Sequence, residues 1–242
     1  MNKDLINAIN EIANRAPQLF LDYDGTLVPI INDPDKAMPD SEILEILADL
    51  DSQYELFIVT GRALDDIIKF LGHMNIIALH GAIFYIDSCC IPVYNFETYI
   101  KKCDEIFARN SEYIKKYPDL RVYNKNGGVL FHLGNVKDKN IRINIEEMVT
   151  GLAVESGMEL YRGIEILEIR IPGINKGEAI RAVRNKNRAA FIIGDDATDE
   201  EAFKLNMDAV TVKVGENPTY ASYNVKFKNV KKILRSFIKN NK

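Results

Sequence analysis

The chain has 242 residues, enough for one large domain or two smaller ones around a substantial core. With 47% hydrophobic and 27% charged residues it has the composition of an ordinary globular protein. A formal net charge of −4 supplies no broad basic field, which argues against a nucleic-acid partner.

Residues 1–16 alternate apolar with polar side chains, as an amphipathic helix does, and lack the apolar core of a signal peptide. The apolar runs, such as residues 76–79 and 191–193, are far too short to span a bilayer, so no membrane association is expected. Cys89, Cys90 and Cys103 form neither a disulfide framework nor a spaced zinc pattern. The adjacent pair reads as small, half-buried strand residues. A reducing cytoplasm is the expected location and a monomer the expected state.

Along the chain, residues 19–22 read as a buried strand, 41–50 as a helix, 56–60 as a strand, 64–71 as a helix and 76–79 as a strand. Late in the chain come a helix at 176–184, a strand at 189–193, a helix at 199–205, a strand at 210–214 and a closing helix at 230–238. Apolar strands interleaved with amphipathic helices predict an α/β fold with a doubly wound, parallel, Rossmann-like core sheet. Ligands of such sheets bind beyond the carboxyl ends of the strands. The middle differs. A helical stretch at 96–116 precedes two short strands joined through Asn126-Gly127-Gly128, a strong hairpin signal. Helix, strand, strand then recurs over 141–171. This predicts a smaller α/β domain at 83–172 inserted into a core formed by 1–82 and 173–242.

Four segments carry chemistry, each at or just beyond a strand end. Asp22-Tyr23-Asp24-Gly25-Thr26 places two carboxylates two residues apart at the end of an apolar run, where they repel unless a cation offsets them. Thr60-Gly61-Arg62 offers a hydroxyl and main-chain N–H groups to an anion, although a plain strand-to-helix turn has the same sequence. Lys176 opens a helix, where a cation works against the helix dipole; a solvated lysine is the alternative. Asp195, Asp196, Asp199 and Glu200 crowd four acids into six residues, and hard carboxylate oxygens suit Mg2+. Asp195 is the expected ligand, Asp196 and Asp199 orient waters or neighbours, and Thr198 with Glu201 fits a helix capping box.

In this order the four segments resemble the haloacid dehalogenase superfamily of phosphatases. The resemblance implies that Asp22 is the nucleophile, Asp24 the general acid and base, and Thr60 and Lys176 the phosphoryl-binding pair. Mg2+ would be held by the Asp22 carboxylate, the Asp24 main-chain carbonyl and Asp195. Within the superfamily the chain is most similar to the trehalose-6-phosphate phosphatase family, through residues 21–27, His80-Gly81, Lys125, His132, Glu168-Ile169-Arg170, Asn175-Lys176-Gly177 and residues 194–200. That implies a sugar phosphate as substrate, an inserted domain acting as a recognition cap, and Gly61, Arg62, His80, Lys125, His132 and Glu168 as substrate contacts. Read residue by residue, Lys125 beside a hairpin turn is by default a solvated charge, and His132 fits an interior histidine satisfied by backbone equally well. Glu168, among apolar neighbours, needs a partner such as Arg170 or a ligand. The family often has Glu, Arg and Lys where this chain has Tyr123, Gly134 and Ile164, departures that bear on the sugar rather than on phosphoryl chemistry. Sucrose 6-phosphate, a glycosyl-glycerate phosphate, a mutase reaction and a non-catalytic sensor are the competing readings.

Overall fold

The computed structural model describes residues 3–31 and 36–238. The elements in chain order are α1 (Lys3–Ala13), β1 (Gln18–Asp22), α2 (Ser41–Gln53), β2 (Glu55–Val59), α3 (Leu64–Leu71), β3 (Asn75–Ala78), β4 (Ile83–Ile86) and β5 (Cys89–Pro92). Then follow α4 (Phe96–Ala108), α5 (Asn110–Lys116), β6 (Arg121–Asn124), β7 (Gly128–His132), α6 (Lys139–Ser156), β8 (Glu159–Gly163) and β9 (Ile166–Arg170). The chain closes with α7 (Lys176–Val183), β10 (Ala190–Gly194), α8 (Ala197–Leu205), β11 (Val210–Val214), β12 (Tyr223–Val225) and α9 (Val230–Arg235).

Two compact units result. One comprises the residues up to Ile91 and from Asn175 onward, the other Pro92–Ile174. The large unit holds a sheet of order β12-β11-β10-β1-β2-β3-β4-β5. From β12 to β3 every neighbouring pair is parallel. β1 and β10 are buried at every position, as strands covered on both faces must be. Side chains alternate: Phe20 stacks on Phe57 at 5.1 Å and joins Ile192, Ala179, Ile180 and Phe203 beneath α7 and α8. Phe191 turns to the other face and meets Phe237, just past α9, at 4.9 Å.

From β1 the chain continues outward through β2 and β3 on one side, and through β10, β11 and β12 on the other. The strand order therefore reverses between β1 and β10, where their carboxyl ends make the crevice in which such sheets bind ligands. β4 is antiparallel to β3 and belongs to this sheet, so the unit boundaries fall at 91/92 and 174/175, whereas the sequence reading set them at 82/83 and 172/173. Residues 83–92 are too short and too mixed to show a period in the sequence. β5 is the sheet's edge, and Cys89 and Cys90 are exposed there, not half-buried as expected.

The small unit is an antiparallel sheet of order β6-β7-β9-β8 with α4 against β6 and β7 and α6 against β8 and β9. The expected helix at 96–116 is broken at Arg109 into α4 and α5. Asp138 caps α6 by accepting from the N–H groups of Asn140 and Ile141, and Gly157 ends it at φ 62°.

Candidate active site

The site is built where β1, β2, β10 and α7 end or begin. Asp22 is the last residue of β1 and is 5% exposed. Its Oδ1 accepts a hydrogen bond from Lys176 Nζ at 2.7 Å, while its Oδ2 is buried without a hydrogen-bond partner among the described residues. Lys176 occupies the first turn of α7 because Asn175 caps that helix, accepting from the Glu178 N–H at 2.8 Å. Its ammonium turns away from the helix into a buried pair of carboxylates, donating also to Asp199 Oδ1 at 2.8 Å. These two bonds account for a lysine placed against the helix dipole.

Past β10 the acidic loop is stitched together by its own side chains. Asp196, rather than Thr198, caps α8; it accepts from the N–H groups of Thr198 and Asp199, with Asp199 completing the box. The sequence reading had paired Thr198 with Glu201. Asp196 takes the role because the strand ends one residue before Asp195, which leaves it in extended conformation at the helix start. Asp199 Oδ2 accepts from the main-chain N–H of Asp195 and of Asp196, so both of its oxygens are committed. Two glycines make room for these carboxylates. A Cβ on Gly194 would lie 2.1 Å from Asp199 Cγ, and one on Gly25 would lie 2.0 Å from Asp195 Oδ2.

Carboxylate oxygens of Asp22, Asp195 and Asp199 lie within 4.8 Å of one another, a geometry that could hold a metal ion. Burial pushes the Asp22 carboxyl up to about 7 against the pull of Lys176. Burial, with Asp199 and Asp196 alongside, pushes Asp195 up to about 7 too. Asp196 goes down despite its burial, because Lys176 and the Thr198 hydroxyl favour its charged form. Burial opposes the charge on Lys176, but Asp199 and Asp22 hold its value well above that of an ordinary lysine. An orphaned buried oxygen on Asp22 beside a second carboxylate that resists ionising fits a divalent cation, which would relieve both. With Asp199 committed elsewhere, Asp22 and Asp195 are the side chains that fit it.

The remaining core residues surround this cluster. Thr60, just past β2 and 1% exposed, accepts at Oγ1 from the Arg62 N–H at 3.1 Å. Arg62 grips Asp24 with two bonds, Nε to Oδ2 and Nη2 to Oδ1, both 2.7 Å, and lies over the rings of Tyr23 and Phe70. The Asp24 side chain is thus turned to Arg62. His80 sits in a left-handed turn at φ 60°, with its N–H on the Thr60 carbonyl and its ring where a Gly61 Cβ would be. Lys213, which sequence reasoning passed over, is 4% exposed and reaches Glu200 Oε1 at 3.1 Å and the Asp196 carbonyl at 3.2 Å. The signal was there: a lysine within a strand that otherwise reads Val-Thr-Val-Val, in register with Gly194.

The cap candidates share one sheet face of the small unit. Val122, Val129, Phe131, Leu167 and Ile169 are buried on the helix side, so the alternate residues Lys125, His132 and Glu168 belong to the other face. Lys125 Nζ donates to Glu168 Oε1 at 2.8 Å, with side chains 17% and 3% exposed. Lys125 is therefore not a solvated charge but a partner of Glu168 on that face. Arg170 instead grips Glu159, through Nε at 3.0 Å and Nη2 at 2.6 Å. His132 Nδ1 faces the Gly134 N–H at 3.2 Å.

Comparison with known proteins gives a consistent answer. A family described as "Trehalose-phosphatase" matches residues 20–231. A trehalose-6-phosphate phosphatase-related protein of Thermoplasma acidophilum is 42% identical over 90% of this chain and 95% of its own length. A bifunctional trehalose-6-phosphate synthase/phosphatase of Thermoproteus tenax is 32% identical over 86% of this chain, which spans only 30% of that longer protein. Among solved structures, a trehalose-6-phosphate phosphatase related protein superposes with a TM-score of 0.86 at 40% identity, covering 90% of this chain and 95% of that one. The C-terminal domain of a Candida albicans trehalose-6-phosphate phosphatase, 22% identical, shares the fold with a TM-score of 0.81 over 98% of this chain and 97% of its own.

Proposed function

The chain belongs to the trehalose-phosphatase family and is a phosphoric monoester hydrolase, and from that premise we propose that it releases phosphate from trehalose 6-phosphate through a covalent intermediate on Asp22. The observation that carries the mechanism is the pairing at Asp22: one oxygen fixed by Lys176, the other buried and unpartnered beside Asp195.

In this reading the Asp22 carboxylate attacks phosphorus, and the ester oxygen leaves as the sugar alcohol with a proton from Asp24. Water, giving its proton to Asp24, then attacks phosphorus of the acyl phosphate, and Asp22 and inorganic phosphate are released. Lys176 lowers the repulsion between the nucleophile and the incoming anion, and stays charged because two carboxylates surround it. Thr60 and the main chain of its turn bind phosphoryl oxygens. In the resting arrangement both Asp24 oxygens accept from Arg62, so proton donation begins with release of one of those bonds. Arg62 is thereby a positioning group for Asp24 as well as an expected substrate contact. A bound Mg2+, held by Asp22, Asp195 and the Asp24 carbonyl, would supply charge neutralisation for the phosphoryl group.

We assign sugar recognition to the small unit, with Lys125, His132 and Glu168 on the helix-free face of its sheet. His80 and Gly61 are assigned to the substrate-binding rim of the Thr60 turn. No helix among the described residues is long and apolar enough to cross a membrane. The test is phosphate release over a panel of trehalose, sucrose, glucose and glycosyl-glycerate phosphates with Mg2+. Trehalose 6-phosphate should give the highest kcat/KM. A higher value for another member would replace the substrate and leave the mechanism standing.

A further inference from the structure

Lys213 is out of place in β11. The strand is otherwise apolar apart from Thr211, and burial of Lys213 removes the ordinary role of a lysine as a solvated charge. It stands in register with Gly194, the last residue of β10, and so lies beside the point where the acidic loop leaves the sheet. Its ammonium donates to the Asp196 carbonyl at 3.2 Å and pairs with Glu200 Oε1 of α8 at 3.1 Å. Glu200 is fixed in turn, since its Oε2 accepts from the Tyr220 N–H at 2.8 Å.

A buried lysine paired with a carboxylate can be no more than a brace between strand and helix, and such pairs add little net stability. The bond to Asp196 says more. Asp199 holds the Asp195–Asp196 turn by both of its main-chain N–H groups, at 2.9 and 3.1 Å. Lys213 holds the same turn by a carbonyl, from a different element. The turn is therefore pinned on its donor side from α8 and on its acceptor side from β11. Asp195 is the residue whose carboxylate that turn aims toward Asp22. Groups that fix a metal ligand without touching the metal are worth about 10–100-fold in cation affinity. A charge effect alone has the opposite sign, because an ammonium repels a nearby cation and its removal would tighten binding.

We propose that Lys213 is a positioning residue for Asp195, holding the loop that carries this cation ligand through the Asp196 carbonyl. This rests on the reading of Asp22 and Asp195 as ligands of a divalent cation, and it gives a role to a buried charge that the phosphoryl chemistry leaves unused.

The test is Lys213→Met, which keeps an apolar stem of similar length and removes the ammonium. Two quantities are read: the Mg2+ concentration for half-maximal phosphate release, and the rise in Tm when Mg2+ is added to chelated protein. The half-maximal concentration should rise about tenfold, the Tm increment at fixed Mg2+ should shrink, and kcat at saturating Mg2+ should stay within about threefold of wild type. An unchanged or lowered Mg2+ requirement, as a plain brace or a charge effect predicts, would overturn the proposal. So would a kcat that saturating Mg2+ does not restore. If Lys213→Met shows no cooperative unfolding transition, Lys213→Arg decides. It keeps the charge and the pair with Glu200, but its broader head group displaces the Asp196 carbonyl, so the Mg2+ requirement should rise about threefold. An unchanged requirement there overturns the proposal. A wild type indifferent to chelator in both measurements would sink the cation reading and the role of Lys213 with it, whereas an unchanged requirement in the variant sinks that role alone.

Discussion

At the site, single atoms are held by contacts that leave little slack. Asp199 never needs to touch substrate to matter, because it orients the Lys176 ammonium with one oxygen and two main-chain N–H groups of the acidic loop with the other. Gly194 exists beside it for want of room: any Cβ there would collide with Asp199. Gly194→Ala should therefore lower kcat by about a hundredfold or more, the size expected when catalytic groups move by about 1 Å. Thermal unfolding of the same protein separates the effects, since a collapse of the fold would abolish the transition. Near wild-type kcat would show that Asp199 has no positioning role. At this scale the sequence was legible where chemistry demands a residue type. Asp22, Lys176 and Asp195 stand out as charges at the ends of apolar runs. The Arg62–Asp24 grip did not stand out, because it depends on which strands become neighbours, a fact that spacing along the chain does not carry.

At the scale of elements, the strands β1 and β10 and the helices α7 and α8 were readable from their apolar runs and polar ends. The caps were harder. Two acids three residues apart, Asp196 and Asp199, satisfy a capping box as well as Thr198 with Glu201 does, and only the end of β10 decides between them. The small sheet repeats the lesson: Glu168 among apolar neighbours called for a partner such as Arg170 or a ligand, but its pairing with Lys125 across β7 needed the register. Removing that carboxylate should harm recognition rather than phosphoryl transfer. For Glu168→Ala the ratio of kcat/KM for trehalose 6-phosphate to that for para-nitrophenyl phosphate should fall about thirtyfold, or about 2 kcal/mol of transition-state binding. A constant ratio would remove Glu168 from the sugar site and make it a structural partner of Lys125.

For the whole molecule, the balance of charge at the β1–β10 crevice links pH, cation and stability. Without a cation, Asp22 and Asp195 have folded-state values of about 7 against an ordinary 3.8. Carboxyls with raised values favour the folded state below their unfolded pKa, and that contribution is lost as pH rises through the folded value. A divalent cation requires both groups ionised, so its own stabilising effect should grow across the same window. The Tm gap between Mg2+-loaded and chelated protein is therefore expected to be small near about pH 5 and to widen by about pH 7.5. A gap independent of pH would mean that neither carboxyl titrates against the cation. Activity should likewise stop in excess chelator, and Mg2+ should restore it better than Ca2+, whose longer and more numerous oxygen contacts would misplace the nucleophile.

All of this rests on Asp22 as the nucleophile, and phosphate release by Asp22→Asn tests that most directly. A neutral amide is a far weaker nucleophile and a weaker cation ligand, while its size and its place at the end of β1 are unchanged. The purified protein, with wild-type secondary structure by circular dichroism, should release no detectable phosphate from trehalose 6-phosphate or from para-nitrophenyl phosphate. Turnover at more than a small fraction of the wild-type rate on either substrate would contradict a covalent intermediate on Asp22.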